Sequence, residues 1–259
     1  MIKVFENFKY DKQNVRINGY TPRDISDIRQ QISNELVVVL KGVFAKEDLQ
    51  RVRENTVSYI AENPPTNPMI EAGVTNFWRR DDNPAKSAVK RVKQFFASFY
   101  WNDDLAGESD MMKAMSVLRN EIAGLPATYT IAGMEPDGFM TYGNVTHYPS
   151  GGGKLNKHQD PPNKQFAVII ASMSKKGSDF EQGGFYVEMD GNKLDIDQHL
   201  DVGDVYLMNP NCVHGVDAID PQKTLDWDSG SGRWILFPAL IEVKTVLGQK
   251  VEGLRDLEQ

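Results

Sequence analysis

The segment at residues 147–162 reads HYPSGGGKLNKHQDPP and contains two of the four histidines of the chain. His158 is followed two residues later by Asp160. On a β-strand, residues i and i+2 point to the same side of the sheet. An imidazole and a carboxylate would then face one cavity, as two of the three ligands of a facial triad for non-haem iron(II). The alternative is a polar loop end that hydrogen-bonds to water.

A third ligand would have to come from a distant strand, and His214 is the best candidate. It follows an apolar segment and a turn, so we expect it near the start of a strand. His147 is too close in sequence to cross a barrel, although it is a candidate for lining the pocket. His199 lies in a polar turn and is expected to be solvated.

Short strand-like segments separated by turn signals dominate the chain after residue 125. An Asp-Gly turn signal lies within residues 189–193, between two of these segments. This spacing favours a sandwich, barrel or jelly roll. Alternating βαβ units are absent from this half, which argues against a doubly wound parallel sheet. The segments are 166–172, 183–189, 204–209 and 233–243.

The first 125 residues show mostly helical patterns, with one valine-rich run at 35–44 that predicts a buried strand. Thr21 and Asp24 form a capping box, Ser109 is a candidate N-cap, and Gly124 is a stop signal. We predict one domain spanning residues 1–259, with residues 1–125 as helical support and substrate-loop region and residues 126–259 as the β-core. The predicted helices cover 21–32, 45–63, 83–100 and 109–124.

Composition restricts the class of protein. Hydrophobic residues make up 40% and charged residues 25% of the chain, which is typical of a soluble globular protein. A net charge of −7 argues against nucleic acid or an anionic membrane as the partner. The single cysteine excludes an intramolecular disulfide, and no apolar run has the length of a membrane span. We predict a soluble cytoplasmic protein and leave its oligomeric state open.

Four segments in this order resemble the iron(II)- and 2-oxoglutarate-dependent dioxygenases, especially the prolyl 4-hydroxylase-like branch. The resemblance covers about a third of the chain, and each segment alone is a weak signal. It implies a double-stranded β-helix, a jelly-roll variant, with the N-terminal helices packed outside. The matching segments are HYPSGGGKLNKHQD (147–160), GGFYVEM (183–189), VGDVYLMNPNCVHGV (202–216) and GRWILFPAL (232–240).

The resemblance also implies the ligand set and the cofactors. His158, Asp160 and His214 would hold iron(II), and dioxygen and 2-oxoglutarate would be co-substrates. Arg233 would bind the distal carboxylate of 2-oxoglutarate, because its planar fork forms two parallel hydrogen bonds with a carboxylate. Tyr148 matches a tyrosine that hydrogen-bonds the co-substrate in relatives; its alternative role is core packing.

One position departs from the family pattern. Many relatives have a serine or threonine two residues after the arginine, where this chain has Ile235. A second donor to the distal carboxylate must therefore come from elsewhere or be missing. Halogenating members replace the carboxylate ligand with a small residue, so Asp160 argues for hydroxylation or a related C–H oxidation.

The expected substrate is a small molecule such as an amino acid or a biosynthetic intermediate. A protein or peptide side chain is the alternative within the same chemistry. A cupin-like metalloenzyme is a further alternative, but the chain has no His-x-His motif and Arg233 would have no role. The last alternative is a binding module that has lost its metal, and the presence of all three candidate ligands, His158, Asp160 and His214, argues against it.

Candidate substrate-binding residues lie in the segment NFWRRDDNP at residues 76–84. Trp78, Arg79 and Arg80 combine an aromatic ring with two cations, which suits an anionic substrate. The alternative is a surface ion-pair cluster with the following aspartates. The longer segment 66–82 has no clear periodicity, so we predict a flap over the iron site. A static surface connection is its alternative.

Overall fold

A computed structural model describes residues 2–82, 90–161 and 166–243. The helices are α1 (Pro22–Ser33), α2 (Lys46–Glu62) and α3 (Ser109–Ala123). The first strands are β1 (Ile2–Phe5), β2 (Lys9–Asp11), β3 (Arg16–Asn18), β4 (Val37–Leu40), β5 (Phe77–Asp81), β6 (Arg91–Ser98) and β7 (Phe139–Pro149). The remaining strands are β8 (Lys154–His158), β9 (Val168–Ser172), β10 (Gly184–Met189), β11 (Asn192–Asp195), β12 (Val205–Met208), β13 (Val213–Asp217) and β14 (Gly232–Glu242).

The helix ends follow local sequence signals. The Thr21 hydroxyl accepts a hydrogen bond from the Asp24 backbone, and the Asp24 carboxylate accepts one from the Thr21 backbone at 2.7 Å. This is the predicted capping box. Gly124 ends α3 in the left-handed region at φ 73°, as predicted. α3 has Glu108 at its N-cap, so the predicted cap at Ser109 is wrong by one residue.

The sheet curls into two layers that enclose an apolar core. Its strand order is β1-β4-β12-β9-β14-β7-β6-β8-β13-β10-β11, and β5 pairs with β6. Strand β6 joins the layers, because residues 91–92 pair with β8 and residues 94–98 pair with β7. Side chains of both layers meet in one cluster, which includes Ile170, Tyr206, Val187 and Val216. The expected jelly roll is confirmed.

The helices pack against the outer face of the β4-β12-β9-β14 layer. Ile28 of α1, Leu49 of α2 and Met115 of α3 share a buried cluster with Leu207 and Leu236 of that layer. The expected placement of the helices outside the β-core is therefore confirmed. Among the described residues, no helix is long and apolar enough to cross a membrane.

The predicted helix at residues 83–100 is wrong over residues 91–98, which form strand β6. Residues 83–89 lie outside the described residues. Strand β6 has neighbours on both sides, and Phe95 and Phe96 are buried on opposite faces. When both faces of a strand are apolar, some of its apolar residues also fall at helical spacing, so the pattern predicted a helix. Pairing with the strands on both sides decides the actual conformation. The first 125 residues consequently contribute β1, β4, β5 and β6 to the sheet, in addition to helical support.

Candidate metal centre and its cavity

The three predicted metal ligands converge at one point between β8 and β13. His158 is the last residue of β8 and is paired in register with His214 of β13. Their rings are 4.3 Å apart between centroids. Asp160 places Oδ1 at 3.6 Å from His158 Nε2 and Oδ2 at 3.7 Å from His214 Nε2. One ligand atom from each residue lies within 4.8 Å of the other two, a spacing at which one ion can be held.

Asp160 reaches this position from a loop and not from the strand. It lies two residues beyond the end of β8, and its backbone amide donates to Pro210 O at 3.0 Å. The Asp160 side chain does face the same cavity as His158, as predicted. The reason is not the alternation of side chains along a strand, because Asp160 is outside the strand. The chain segment between β12 and β13 fixes its backbone instead.

Both imidazoles have the tautomer that metal binding requires. His158 Nδ1 lies 2.9 Å from Asn156 O, and His214 Nδ1 lies 2.9 Å from Cys212 O. A carbonyl oxygen can only accept, so each Nδ1 carries the hydrogen. Each Nε2 is therefore the ring nitrogen that is left to bind a metal, and it lies on the side of Asp160.

The protonation states also suit a divalent cation. Burial lowers the pKa of His214 to about 4, which keeps this imidazole neutral at pH 7. For Asp160, desolvation raises the pKa, but His214 and His158 lower it more, and the net shift is downward. A neutral imidazole and an ionised carboxylate are the forms that coordinate a metal.

The three ligands open into a cavity of about 240 Å³ between the two sheet layers. Arg233 and Tyr148, the residues expected to bind 2-oxoglutarate, also line it. The Tyr148 ring centre is 5.8 Å from Arg233 Cζ, and burial raises the pKa of Tyr148, which keeps its hydroxyl neutral. The structure thus brings all five of these residues to one cavity.

Arg233 is fixed by a buried ion pair and has one free nitrogen. Its Nε donates to Asp197 Oδ2 at 2.7 Å, and its Nη2 donates to Asp197 Oδ1 at 3.1 Å and to the Tyr206 hydroxyl at 3.0 Å. Burial lowers the pKa of Arg233, but Asp197 more than offsets this and raises it overall. Within the described residues, Nη1 is buried without a hydrogen-bond partner. A ligand carboxylate in the cavity would satisfy this donor.

Asp197 and Tyr206 are functional candidates that the sequence did not reveal. The Tyr206 oxygen accepts from Arg233, which leaves its own proton available to a ligand, and burial raises its pKa to about 12. Tyr206 can therefore supply the second donor that Ile235 lacks. Gly184 makes room for the Asp197 carboxylate, because a Cβ at position 184 would lie 2.6 Å from Asp197 Oδ2.

Of the three candidate substrate residues, the structure places only Arg79 at the cavity. Trp78 and Arg80 project from the other face of β5. Trp78 is 5% exposed, and its Nε1 donates to Asn63 O at 2.7 Å. Arg80 donates to Gln94 Oε1 at 3.0 Å. Strand alternation separates Arg79 from its two neighbours.

The other two histidines do not reach the metal centre. His147 stacks on Trp234 at 4.2 Å and does not line the cavity. His199 is exposed at the end of a 3-10 turn, Asp197–His199, as expected for a solvated residue. Arg91 and Lys93 line the cavity and were missed, because residues 91–98 were expected to be helical.

Solved structures of low sequence identity share this fold. A prolyl-4-hydroxylase from Pseudomonas putida is 13% identical, with 82% of this chain and 95% of that chain covered and a TM-score of 0.52. A prolyl hydroxylase from Trichoplax adhaerens, solved with a hypoxia inducible factor peptide fragment, is 12% identical, with 88% and 94% covered and a TM-score of 0.51. The non-haem α-ketoglutarate-dependent epimerase SnoN from nogalamycin biosynthesis is 12% identical, with 91% and 95% covered and a TM-score of 0.53.

No protein-family model matches the sequence, and no curated protein matches it. At these identities the likeness to the solved structures establishes the fold. It confirms the fold of the prolyl 4-hydroxylase-like oxygenases, which the sequence segments had suggested. The activity must be argued from the site itself.

Proposed function

We propose that the chain is a non-haem iron(II) oxygenase that couples oxidative decarboxylation of 2-oxoglutarate to hydroxylation, or a related C–H oxidation, of a small molecule. The observation that carries this proposal is the shared cavity. It joins the His158–Asp160–His214 cluster to Arg233, whose Nη1 is buried without a hydrogen-bond partner among the described residues. The likeness in fold to the solved prolyl hydroxylases and to the α-ketoglutarate-dependent epimerase supports it.

The donor set fits iron(II) and the co-substrate. Two imidazoles and one carboxylate, from His158, His214 and Asp160, are the ligands of a facial triad, which leaves coordination positions open. Iron(II) and 2-oxoglutarate, when bound, would supply the activation of dioxygen for oxidation of the substrate. The orphan Nη1 of Arg233 fits the distal carboxylate of the co-substrate.

The residues of the chain would then bind and orient the co-substrate and keep water away from the reacting C–H bond. Asp197 holds the Arg233 guanidinium by two hydrogen bonds, so its free nitrogen needs little reorganisation when a carboxylate arrives. Tyr206 would donate its hydroxyl proton to the same carboxylate. Apolar side chains of the cavity, including Ile170 and Phe185, would limit water at the reacting C–H bond.

A cytoplasmic location stays a prediction.

The test combines metal binding, co-substrate binding and turnover. The apo-protein is titrated calorimetrically with Mn(II), and the Mn(II)-loaded protein is then titrated with 2-oxoglutarate. We expect one metal site per chain and 2-oxoglutarate binding that depends on the metal. With Fe(II), air and 2-oxoglutarate, we expect succinate to form and its rate to rise when a substrate from an amino-acid and small-metabolite panel is added.

His214→Ala is the informative variant, and His199→Ala is its matched control. Removal of His214 should abolish metal binding, whereas removal of the exposed His199 should leave it unchanged. Unaltered Mn(II) affinity in His214→Ala would show that the metal centre is wrongly assigned. Normal metal binding without any 2-oxoglutarate binding would instead favour a metalloprotein of another class.

A further inference from the structure

Strands β5 and β6 form a charged wall of the cavity. The two strands are antiparallel, with Arg79 opposite Phe95 and Asp81 opposite Lys93. Alternate residues of a strand face the same side, so these four side chains and Arg91 share one face. Arg79, Arg91, Lys93 and Phe95 all line the cavity.

This wall has more cations than carboxylates. Arg79 Nε lies 3.1 Å from Asp81 Oδ1, and Arg91 Nε lies 2.7 Å from Asp81 Oδ2, so one carboxylate is shared by two arginines. In the part of the chain that the structure describes, Lys93 has no carboxylate within 4 Å. Its Nζ lies 5.5 Å from the centre of the Phe95 ring and 5.8 Å from that of Tyr148.

The imbalance is unfavourable in the absence of an anion. Burial and the neighbouring Arg91 lower the pKa of Lys93 to about 7, as expected for a desolvated amine beside another cation. The chain as a whole has a net charge of −7, so an overall excess of basic residues does not explain why cations cluster on this wall. A bound anion would balance the arginine charge that Asp81 leaves uncompensated and would favour the protonated form of Lys93.

We propose that the Arg79–Arg91–Lys93 wall binds an anionic group of the substrate, a carboxylate or a phosphoryl group. The inference rests on the proposed function and specifies its substrate class. Arg91 is paired in register with Leu155 of β8, the strand that ends at His158, so the wall borders the metal centre on that side. Arg233 enters from β14 and remains available for 2-oxoglutarate. The wall would hold the substrate anion beside the metal centre.

The test uses two small anions and a readout that does not require turnover. Wild-type protein is loaded with Mn(II) and saturating 2-oxoglutarate without oxygen, and is titrated with ¹³C-labelled acetate or with inorganic phosphate at constant ionic strength. Paramagnetic broadening of the ¹³C or ³¹P signal reports an anion held near Mn(II). We expect saturable broadening by at least one of the anions, and the tighter one identifies the group as carboxylate or phosphoryl.

Variants of Lys93 give the decisive comparison, because this residue does not hold Asp81. Lys93→Gln should weaken anion binding about 10- to 100-fold, the usual effect of losing a charged hydrogen bond. Lys93→Arg should retain most of the affinity. Arg51→Gln, a surface control on α2, should change nothing. Unchanged Mn(II) affinity in all variants shows that they are folded.

Several results would overturn the inference. One is that neither anion shows saturable broadening with the wild-type protein. Another is that Lys93→Gln binds the anion as tightly as the wild type does. A third is a loss of 2-oxoglutarate affinity in Lys93→Gln as large as in Arg233→Gln, which would assign the wall to the co-substrate and leave the proposed function intact. Failure of the proposed function is recognised separately, since wild-type protein would then not bind 2-oxoglutarate at all.

Discussion

Replacement of Arg233 by alanine tests the buried ion pair and the co-substrate site together. Arg233 is 1% exposed and Asp197 is 5% exposed. In the Arg233→Ala variant, the Asp197 carboxylate loses its two hydrogen bonds from Arg233 and its counter-charge, and keeps the Phe185 backbone amide, which donates to Oδ2 at 2.6 Å. A buried carboxylate would thus remain without a counter-charge.

The expected loss of unfolding free energy is about 3–5 kcal/mol, the usual cost of removing one partner of a buried pair. Asp197→Ala should cost a similar amount, because it leaves the guanidinium uncompensated. The double variant Asp197→Ala/Arg233→Ala should be less destabilised than the sum of the two single variants. The difference, a coupling energy, should be roughly 2 kcal/mol or more for residues in direct contact.

Urea unfolding of the wild type, both single variants and the double variant measures this coupling. Calorimetry with Mn(II) and 2-oxoglutarate measures co-substrate affinity in the same four proteins. We expect Arg233→Ala to weaken 2-oxoglutarate binding roughly 100-fold or more and to leave Mn(II) binding intact. Additive stability losses would refute the ion pair, and unchanged 2-oxoglutarate affinity would show that another cation binds the distal carboxylate.

Three further predictions concern stability and the flap. Burial lowers the pKa of His147 from 6.5 to about 3, so the contribution of His147 to the unfolding free energy should be fully present above pH 6.5 and fall by up to about 1.4 kcal/mol per pH unit below it. His214, whose pKa is also lowered, adds a slope of its own in wild type and variant alike. His147→Gln should therefore reduce the slope of a urea-unfolding pH series in this range, and an identical slope would contradict the prediction. Gly184→Ala should displace the Asp197 carboxylate, lowering stability by about 1–3 kcal/mol and weakening 2-oxoglutarate binding; a neutral effect in both assays would argue against the contact. The flap was predicted for residues 66–82, but residues 77–81 form strand β5 of the sheet, so the prediction now applies to residues 66–76. Amide exchange in residues 66–76 should slow when a substrate is added, whereas residues 77–81 should be protected in both states. Equal exchange of residues 66–76 with and without substrate would exclude the flap.

The sequence determined the features that depend on local chemistry. The capping box at Thr21 and the left-handed Gly124 are set by residues within one helical turn. The hairpin between β10 and β11 is set by Asp190 and Gly191, which adopt positive φ angles of 51° and 76°. The grouping of His158, Asp160 and His214 was also predicted from the sequence, because the residue types that can hold a metal ion are few.

Tertiary structure decided the identity of the elements that are buried on both sides. Strand β6 was expected to be helical, and the long strand β7 was not recognised as a strand at all. All residues of β7 are buried, so neither a period of 2 nor of 3.6 marks an outer face. Such segments obtain their conformation from pairing with strands that are distant in sequence.

The same non-local pairing decided which charged residues belong to the cavity. Asp197 meets Arg233 across 36 positions of sequence, and only the curl of the sheet brings them together. Arg79 reaches the cavity while Arg80 does not, because the register of β5 on β6 selects one face of the strand. Ligand residue types are fixed by coordination chemistry and can be read locally, whereas the partners and neighbours of a buried charge depend on strand register, which the whole fold sets.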